Sequence, residues 1–250
     1  DSLLKATRGI ERASESLKEL GIGGSAVGTG INTHPEYAGR VVAKLRDIVN
    51  LDIRESKHRF ESMQSNAPFV ELSGAIRTLS VELIRIANDI RLMNSGPNTG
   101  LGEIDLPAVQ PGSSIMPGKV NPVIPEMMNM VCFSVVGNDL SIVLAAQAGQ
   151  FELNVMMPLI QYKLLDTIFI LTNAAKIFDE KCISGLTVNE KRCQDYAMRS
   201  LGIVTVLNPI IGYSKASEVV KESVRTGKSV REILLEQNVL SPEQLNQVLS

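Results

Sequence analysis

Residues 112–122, Gly-Ser-Ser-Ile-Met-Pro-Gly-Lys-Val-Asn-Pro, bring together the side chains best suited to chemistry in this sequence. Ser113 and Ser114 are adjacent hydroxyls, and Lys119 and Asn121 put an ammonium and a carboxamide two residues apart. Gly112 and Gly118 free the backbone to fold around something small. Pro122 then introduces a long helix, whose N-terminal amides favour anions. A carboxylate beside Lys119 would gain a charge-assisted pair, an amide donor from Asn121 and nearby backbone N–H groups. A surface loop with capping serines and a solvated lysine would have the same composition, and spacing alone leaves both readings open.

Other stretches imitate sites without the context those sites need. Gly21, Gly23 and Ala26 in "GIGGSAVGTG" (21–30) fit a dinucleotide fingerprint. That fingerprint requires a preceding strand, whereas residues 2–20 read as an amphipathic helix through Leu3, Ile10, Ala13 and Leu17. "TGKS" at 226–229 and "PGKV" at 117–120 lack the glycine spacing and the ending of a phosphate-binding loop. With two histidines, His34 and His58, a histidine-rich metal site is not expected. His34 precedes Pro35 and reads as a turn or helix-start residue, and His58 as a solvated loop residue. Cys132, Cys182 and Cys193 are an odd count without a CxxC pair, which argues against a disulfide framework and suits a reducing cytoplasm.

The elements that must position the loop are helical. Leu72, Ile76, Leu79, Leu83, Ile86, Ile90 and Met93 recur at steps of four and three, a bundle seam. Ile160, Leu164, Ile168, Leu171, Ala175 and Phe178 repeat it, and 123–147 carries Met128, Val131, Val135, Ile142 and Ala145 on one face. Aromatics are 4% of the chain and strand signals are poor. Such stripes are buried only against each other, so the predicted fold is all-α, a long-helix bundle. Asn88–Asp89 and Asn138–Asp139 are expected to tie helices together by buried hydrogen bonds, and Met127, Met128, Met156 and Met157 to fill the core. "SGLTVN" at 184–189 breaks the pattern. Short helical segments follow, separated by Asn208–Pro209, Gly212–Tyr213, "TGKS" and "LSPE", with Ser241, Pro242 and Gln244 forming a helix start. The expected division is a central bundle domain over 1–185, incomplete at its N-terminal side, and a small C-terminal helical domain over 186–250. A net charge of −2 gives no basic surface for nucleic acid, and no apolar run is expected to approach membrane-spanning length.

The stretches "GSSIMPGKVNP", "GGSAVGTGINTHPEY" (23–37), "SGPNTGLGEIDLP" (95–107), "GND" (137–139) and "ELNV" (152–155) together resemble the fumarase/aspartase superfamily, in the order of its class II members. The resemblance implies a homotetramer of long helices with active sites shared between subunits, a small dicarboxylate substrate, and no cofactor or metal. It also implies a further N-terminal half carrying a Thr-His motif, which neither His34 nor His58 supplies. Enzymes of this kind take a proton from the carbon beside a carboxylate and expel a group from the next carbon. By resemblance Ser113 is the base, and Ser114, Lys119, Val120 and Asn121 bind substrate. Glu126 is then the catalytic glutamate that pairs with a histidine of another subunit. Proton abstraction there builds an aci-carboxylate dianion, for which one ammonium and several aimed amides are the stabilisation required.

"NPVIPEMMNMVCFSVVGND", "AAQAGQFELNV", "GIVTVLNPIIG" and "TGKSVRE" lean towards the aspartate ammonia-lyase branch, with elimination of ammonia from aspartate. Met157 in "NVMMP" departs from the acidic residue common there. Hydration of fumarate is the alternative reaction, and a helical assembly subunit with a vestigial loop is the alternative of another class.

Overall fold

The computed structural model describes residues 1–112, 115–116 and 118–249. Its α-helices are α1 (Ser2–Ser14), α2 (Tyr37–Val49), α3 (Arg59–Gln64), α4 (Ala67–Met93), α5 (Val123–Gln147), α6 (Met157–Phe178), α7 (Glu190–Arg199), α8 (Ile203–Ile211), α9 (Tyr213–Thr226), α10 (Val230–Glu236) and α11 (Pro242–Leu249). Among the described residues there are also a 3-10 turn (Ser16–Lys18), a π-helical turn (Asp179–Ile183) and four two-residue strands: β1 (Glu19–Leu20) pairs in parallel with β2 (Arg54–Glu55), and β3 (Ile104–Asp105) pairs antiparallel with β4 (Thr187–Val188). The fold is the expected all-α bundle. The chain divides into two compact units, Asp1–Leu92 with Leu106–Leu186, and Met93–Asp105 with Thr187–Ser250.

In the first unit α5 packs along α6 as an antiparallel hairpin. Met128, Cys132, Val135 and Ile142 of α5 and Ile160, Leu164 and Leu171 of α6 are buried. Asn154 closes the hairpin: its Nδ2 donates to the carbonyls of Ala145 and Ala146 at 3.0 Å each, and its Oδ1 accepts from the Met156 N–H at 2.8 Å. One side chain thus satisfies the end of one helix and the start of the next.

Polar pins fix the register of the long helices. Asp139, only 3% exposed, accepts from Ser73 Oγ at 2.6 Å and from Arg77 Nη1 at 2.6 Å, joining α5 to α4. Asn138 Nδ2 donates to Asp166 Oδ2 and to Thr167 Oγ1, both at 3.1 Å, joining α5 to α6. The expected tie is therefore present at Asn138–Asp139. Asn88 and Asp89 are instead exposed, although Asn88 Oδ1 accepts from the buried Asn129 at 2.8 Å.

The buried stripes differ from the expected ones by single positions. In α4 Ser80 and Ala87 are buried while Leu79 and Ile86 are only half-buried; in α6 Thr167 and Ala174 are buried while Ile168 and Ala175 are exposed. Close helix approach favours small or hydrogen-bonding residues at these points, and the larger neighbours turn outward. Of the four methionines expected in the core, Met128 is fully buried, Met127 is half-buried, and Met156 and Met157 remain exposed. α5 also corrects the expectation about membranes, because by length and composition it is apolar enough to cross one. Its buried face carries Asn129, Asn138 and Asp139 in side-chain bonds to α4 and α6, as a bundle-core helix does.

The second unit has its own core of Val204, Leu207, Ala216, Val219, Val230, Ile233, Leu234, Leu240 and Leu245. The Asn208–Pro209 pair, expected as a break, lies inside the last turns of α8, and the helix ends at Gly212, whose φ is +78°. Ser241 and Gln244 form the expected helix start: the Ser241 N–H donates to Gln244 Oε1 at 2.9 Å, and the Gln244 N–H donates to Ser241 Oγ at 3.2 Å.

Replacing Asp139 by Ala leaves the buried Ser73 hydroxyl without its acceptor and frees Arg77, which is half-exposed and can turn to water. The expected loss is about 2–3 kcal/mol, read as a lower urea midpoint. Asp139→Ala unfolding at the parent midpoint would contradict the pinning role.

Candidate functional site

The loop that introduces α5 has a narrow neck. A Cβ added to Gly112 would lie 3.0 Å from the Lys119 carbonyl oxygen, so Gly112 and Lys119 lie close together and a side chain at 112 would press on the Lys119 backbone. The Lys119 N–H donates to the Met116 carbonyl at 3.2 Å, closing a turn in which Gly118 adopts φ +81°. Lys119 and Val120 are exposed and Asn121 is half-buried. The Val123 N–H donates to the Asn121 carbonyl at 2.8 Å, and the Glu126 N–H to the Pro122 carbonyl at 3.1 Å, which starts α5. Ser113 and Ser114, named above as base and substrate contact, lie outside the described residues.

Glu126 occupies the first turn of α5, where a carboxylate complements the helix dipole. Its Oε1 is 3.9 Å from Arg91 Nη2 on α4. Arg91 Nη1 donates to Asn88 Oδ1 at 3.3 Å, the same oxygen that Asn129 Nδ2 reaches at 2.8 Å. Four polar side chains, two on each helix, thus meet at the head of α5. Arg91 and Asn129 were not legible from the sequence, since no motif marks them: Arg91 meets Glu126 only through helix packing, and Asn129, three residues on in α5, joins the group only through Asn88 of α4.

The 95–103 stretch belongs to the second unit, where α7 clasps it. Arg192 Nε donates to the Leu101 carbonyl at 2.9 Å and Nη2 to the Gly100 carbonyl at 3.0 Å, while Tyr196 Oη donates to the Leu101 carbonyl at 3.0 Å. The Arg192 guanidinium lies 5.1 Å from the Tyr196 ring centroid. A Cβ on Gly100 would collide with the backbone of Ser95, so this turn admits only glycine.

The decoy stretches take structural roles. A short strand, β1, does precede Gly21, but the stretch runs on in turns and bends and α2 opens only at Tyr37, so no helix starts within the glycine motif as the dinucleotide fingerprint requires. In "TGKS", Gly227 caps α9 at φ +74° and Ser229 forms a capping box with Glu232 on α10. His34 Nδ1 accepts from the Glu36 N–H at 3.2 Å before α2, and His58 is the exposed residue before α3. Burial pushes the Cys132 thiol up to about 11, against a smaller opposing effect of the Ser80 hydroxyl, and burial also raises the Cys182 thiol, so neither is a thiolate at neutral pH. Among the described residues no group of three His, Cys, Asp or Glu side chains could hold a metal ion.

The chain matches the family described as "Lyase" over residues 3–137 and the family described as "Fumarase C C-terminus" over residues 203–250. It belongs to the fumarase/aspartase superfamily. It is 46% identical over 248 residues to the aspartate ammonia-lyase of Helicobacter pylori, covering 98% of this chain and 53% of that protein. The crystal structure of fumarate lyase:delta crystallin from Brucella melitensis superposes with a TM-score of 0.94 at 41% identity, over 98% of this chain and 53% of that one. The class II fumarase of Schistosoma mansoni superposes with a TM-score of 0.90 at 35% identity, over 99% and 55%. The chain spans about half the length of the curated relatives it matches.

Within this superfamily chain the resembling stretches divide by physical task. "ELNV" and "GND" supply the Asn154 cap and the Asn138–Asp139 pins, and "SGPNTGLGE" supplies the segment clasped by α7. "GGSAVGTGINTHPEY" holds itself by local bonds, such as Ser25 Oγ to the Ile31 carbonyl and Thr33 Oγ1 to the Gly30 carbonyl, and in the 112–121 loop no helix-to-helix bond takes up Lys119 or Asn121 among the described residues. Two measurements test these assignments. Gly112→Val should open the neck at Lys119, and limited trypsin digestion should then cut after Lys119 several times faster than in the parent. Arg192→Gln removes two carbonyl contacts worth about 1–3 kcal/mol together, so the Leu101, Gly102 and Glu103 amides should exchange with solvent correspondingly faster.

Proposed function

We propose that this chain forms part of a carbon–nitrogen lyase that eliminates ammonia from L-aspartate to give fumarate. The observation that carries this reading is the agreement of the curated relatives. Proteins named aspartate ammonia-lyase, from Helicobacter pylori, Bacillus subtilis and Escherichia coli, are 44–46% identical over 96–99% of the chain, against 35% for the class II fumarase.

In this reading Ser113, as an oxyanion, takes a proton from the carbon beside the substrate's side-chain carboxylate. The electron pair moves into that carboxylate, giving the aci-carboxylate dianion. It then returns to form the carbon–carbon double bond as the bond to nitrogen breaks and ammonia leaves. Lys119 pairs with the carboxylate, and Asn121, Val120 and Ser114 orient it, Lys119 and Asn121 meeting the negative charge that grows in the transition state. Glu126 fixes a histidine brought by another subunit. The short neck between Gly112 and Lys119 supports a loop that closes over substrate and excludes water.

A homotetramer with shared sites is supported by second apolar seams. Met130, Phe133, Leu140 and Leu144 on α5, and Tyr162, Leu165 and Phe169 on α6, are exposed at steps of three, four and seven. Such seams are the surface that another helix pair covers. We infer that the rest of the site comes from an N-terminal half outside this sequence. We place the enzyme in the cytoplasm, where Cys132, Cys182 and Cys193 would stay reduced.

The test is the ultraviolet absorbance of fumarate after adding aspartate or malate to the complete assembled protein. A rise with aspartate alone is expected, and Ser113→Ala should lower it at least about a hundredfold while the assembly stays intact. A rise with malate alone would make the protein a hydratase. No rise with either, from an intact tetramer, would leave an assembly subunit.

A further inference from the structure

We infer that Arg91 is a positioning residue for the Glu126 carboxylate, held in place by an amide bridge between α4 and α5. This rests on the assignment of Glu126 to the catalytic machinery made above. Glu126 sits one turn into α5 and is 38% exposed, so its own helix does not fix its rotamer. The cation 3.9 Å away is Arg91 Nη2, on another helix.

The guanidinium is itself fixed. Nη1 donates to Asn88 Oδ1 at 3.3 Å, one turn back on α4. Asn88 is exposed and would be free to turn, but its Oδ1 also accepts from Asn129 Nδ2 at 2.8 Å. Asn129 is 3% exposed, on the turn of α5 that follows Glu126. The chain of contacts therefore starts in the buried interface, passes through one amide oxygen, and ends at the carboxylate. The Oδ1 of Asn129 is buried with no hydrogen-bond partner among the described residues. An unsatisfied buried acceptor is costly, and its retention is accounted for if Asn129 Nδ2 is needed where it is.

Arg91 and Glu126 are respectively 41% and 38% exposed, so the pair does little for stability. Its consequence is direction: a flat guanidinium with one edge anchored presents the other edge to a single carboxylate oxygen. That oxygen is drawn towards α4, leaving the second oxygen of Glu126 to face the group it must orient. Arg91 touches no reacting atom in this arrangement and acts only through Glu126.

The experiment is a double-mutant cycle in the complete assembled protein, with Arg91→Gln, Arg91→Lys, Glu126→Gln and the pair Arg91→Gln/Glu126→Gln. Arg91→Gln should lower kcat by about tenfold with KM within about twofold, and Arg91→Lys should recover part of that loss. In the Glu126→Gln background the same Arg91→Gln change should cost less than about twofold, because its target is gone. Equal losses in both backgrounds, with Glu126→Gln itself impaired, would overturn the positioning role and leave the proposed function standing. Full activity of Glu126→Gln would overturn both. Independently of any turnover, a crystal structure of Arg91→Gln should show the Glu126 carboxylate in a new rotamer; an unmoved carboxylate would sink the inference.

Discussion

The rest of the fold depends on what the Asp139 carboxylate does inside the bundle. Three long apolar helices could slide past one another by a turn with little change in buried area, since the hydrophobic effect has no direction. A carboxylate buried among them has direction. It is tolerable only where Ser73 and Arg77 meet both of its oxygens, and the neighbouring Asn138 is tolerable only where Asp166 and Thr167 lie opposite. These bonds select one register of α4, α5 and α6 out of several that would bury as much carbon.

Register matters because the candidate site is built at the head of α5 from residues on two helices. Glu126 and Asn129 come from α5, and Asn88 and Arg91 from α4. A slip of one turn would move Arg91 about 5.4 Å along the axis, beyond reach of the carboxylate. The pins in the middle of the bundle and the amide bridge at its end are therefore two parts of one alignment. The loop carrying Lys119 and Asn121 grows out of the aligned end, and its closed neck limits where the lysine can go.

Much of this was legible in the residues. The periods of four and three identified the helices, and the concentration of glycine, serine, lysine and asparagine between them identified the loop. The stripes were misread where Ser80, Ala87, Thr167 and Ala174 take buried positions. A reading that scores large apolar residues passes over small ones, which are the residues that let helices approach closely. The Asn208–Pro209 pair was taken for a break because proline ends helices, yet near the end of α8 its missing N–H costs only one backbone bond. Arg91 and Arg192 carry no local signal at all. Glu126, which Arg91 faces, and the Gly100 and Leu101 carbonyls, which Arg192 holds, are distant in sequence, and only packing brings them together.

Asn154 gives the α5–α6 junction a property that neither helix has alone. Because one side chain fastens the carbonyls of Ala145 and Ala146 and also the amide of Met156, the connecting segment is a ruler of set length. An insertion there would detach one helix end or the other, so length variation among natural variants of this chain belongs in segments that no residue spans in this way.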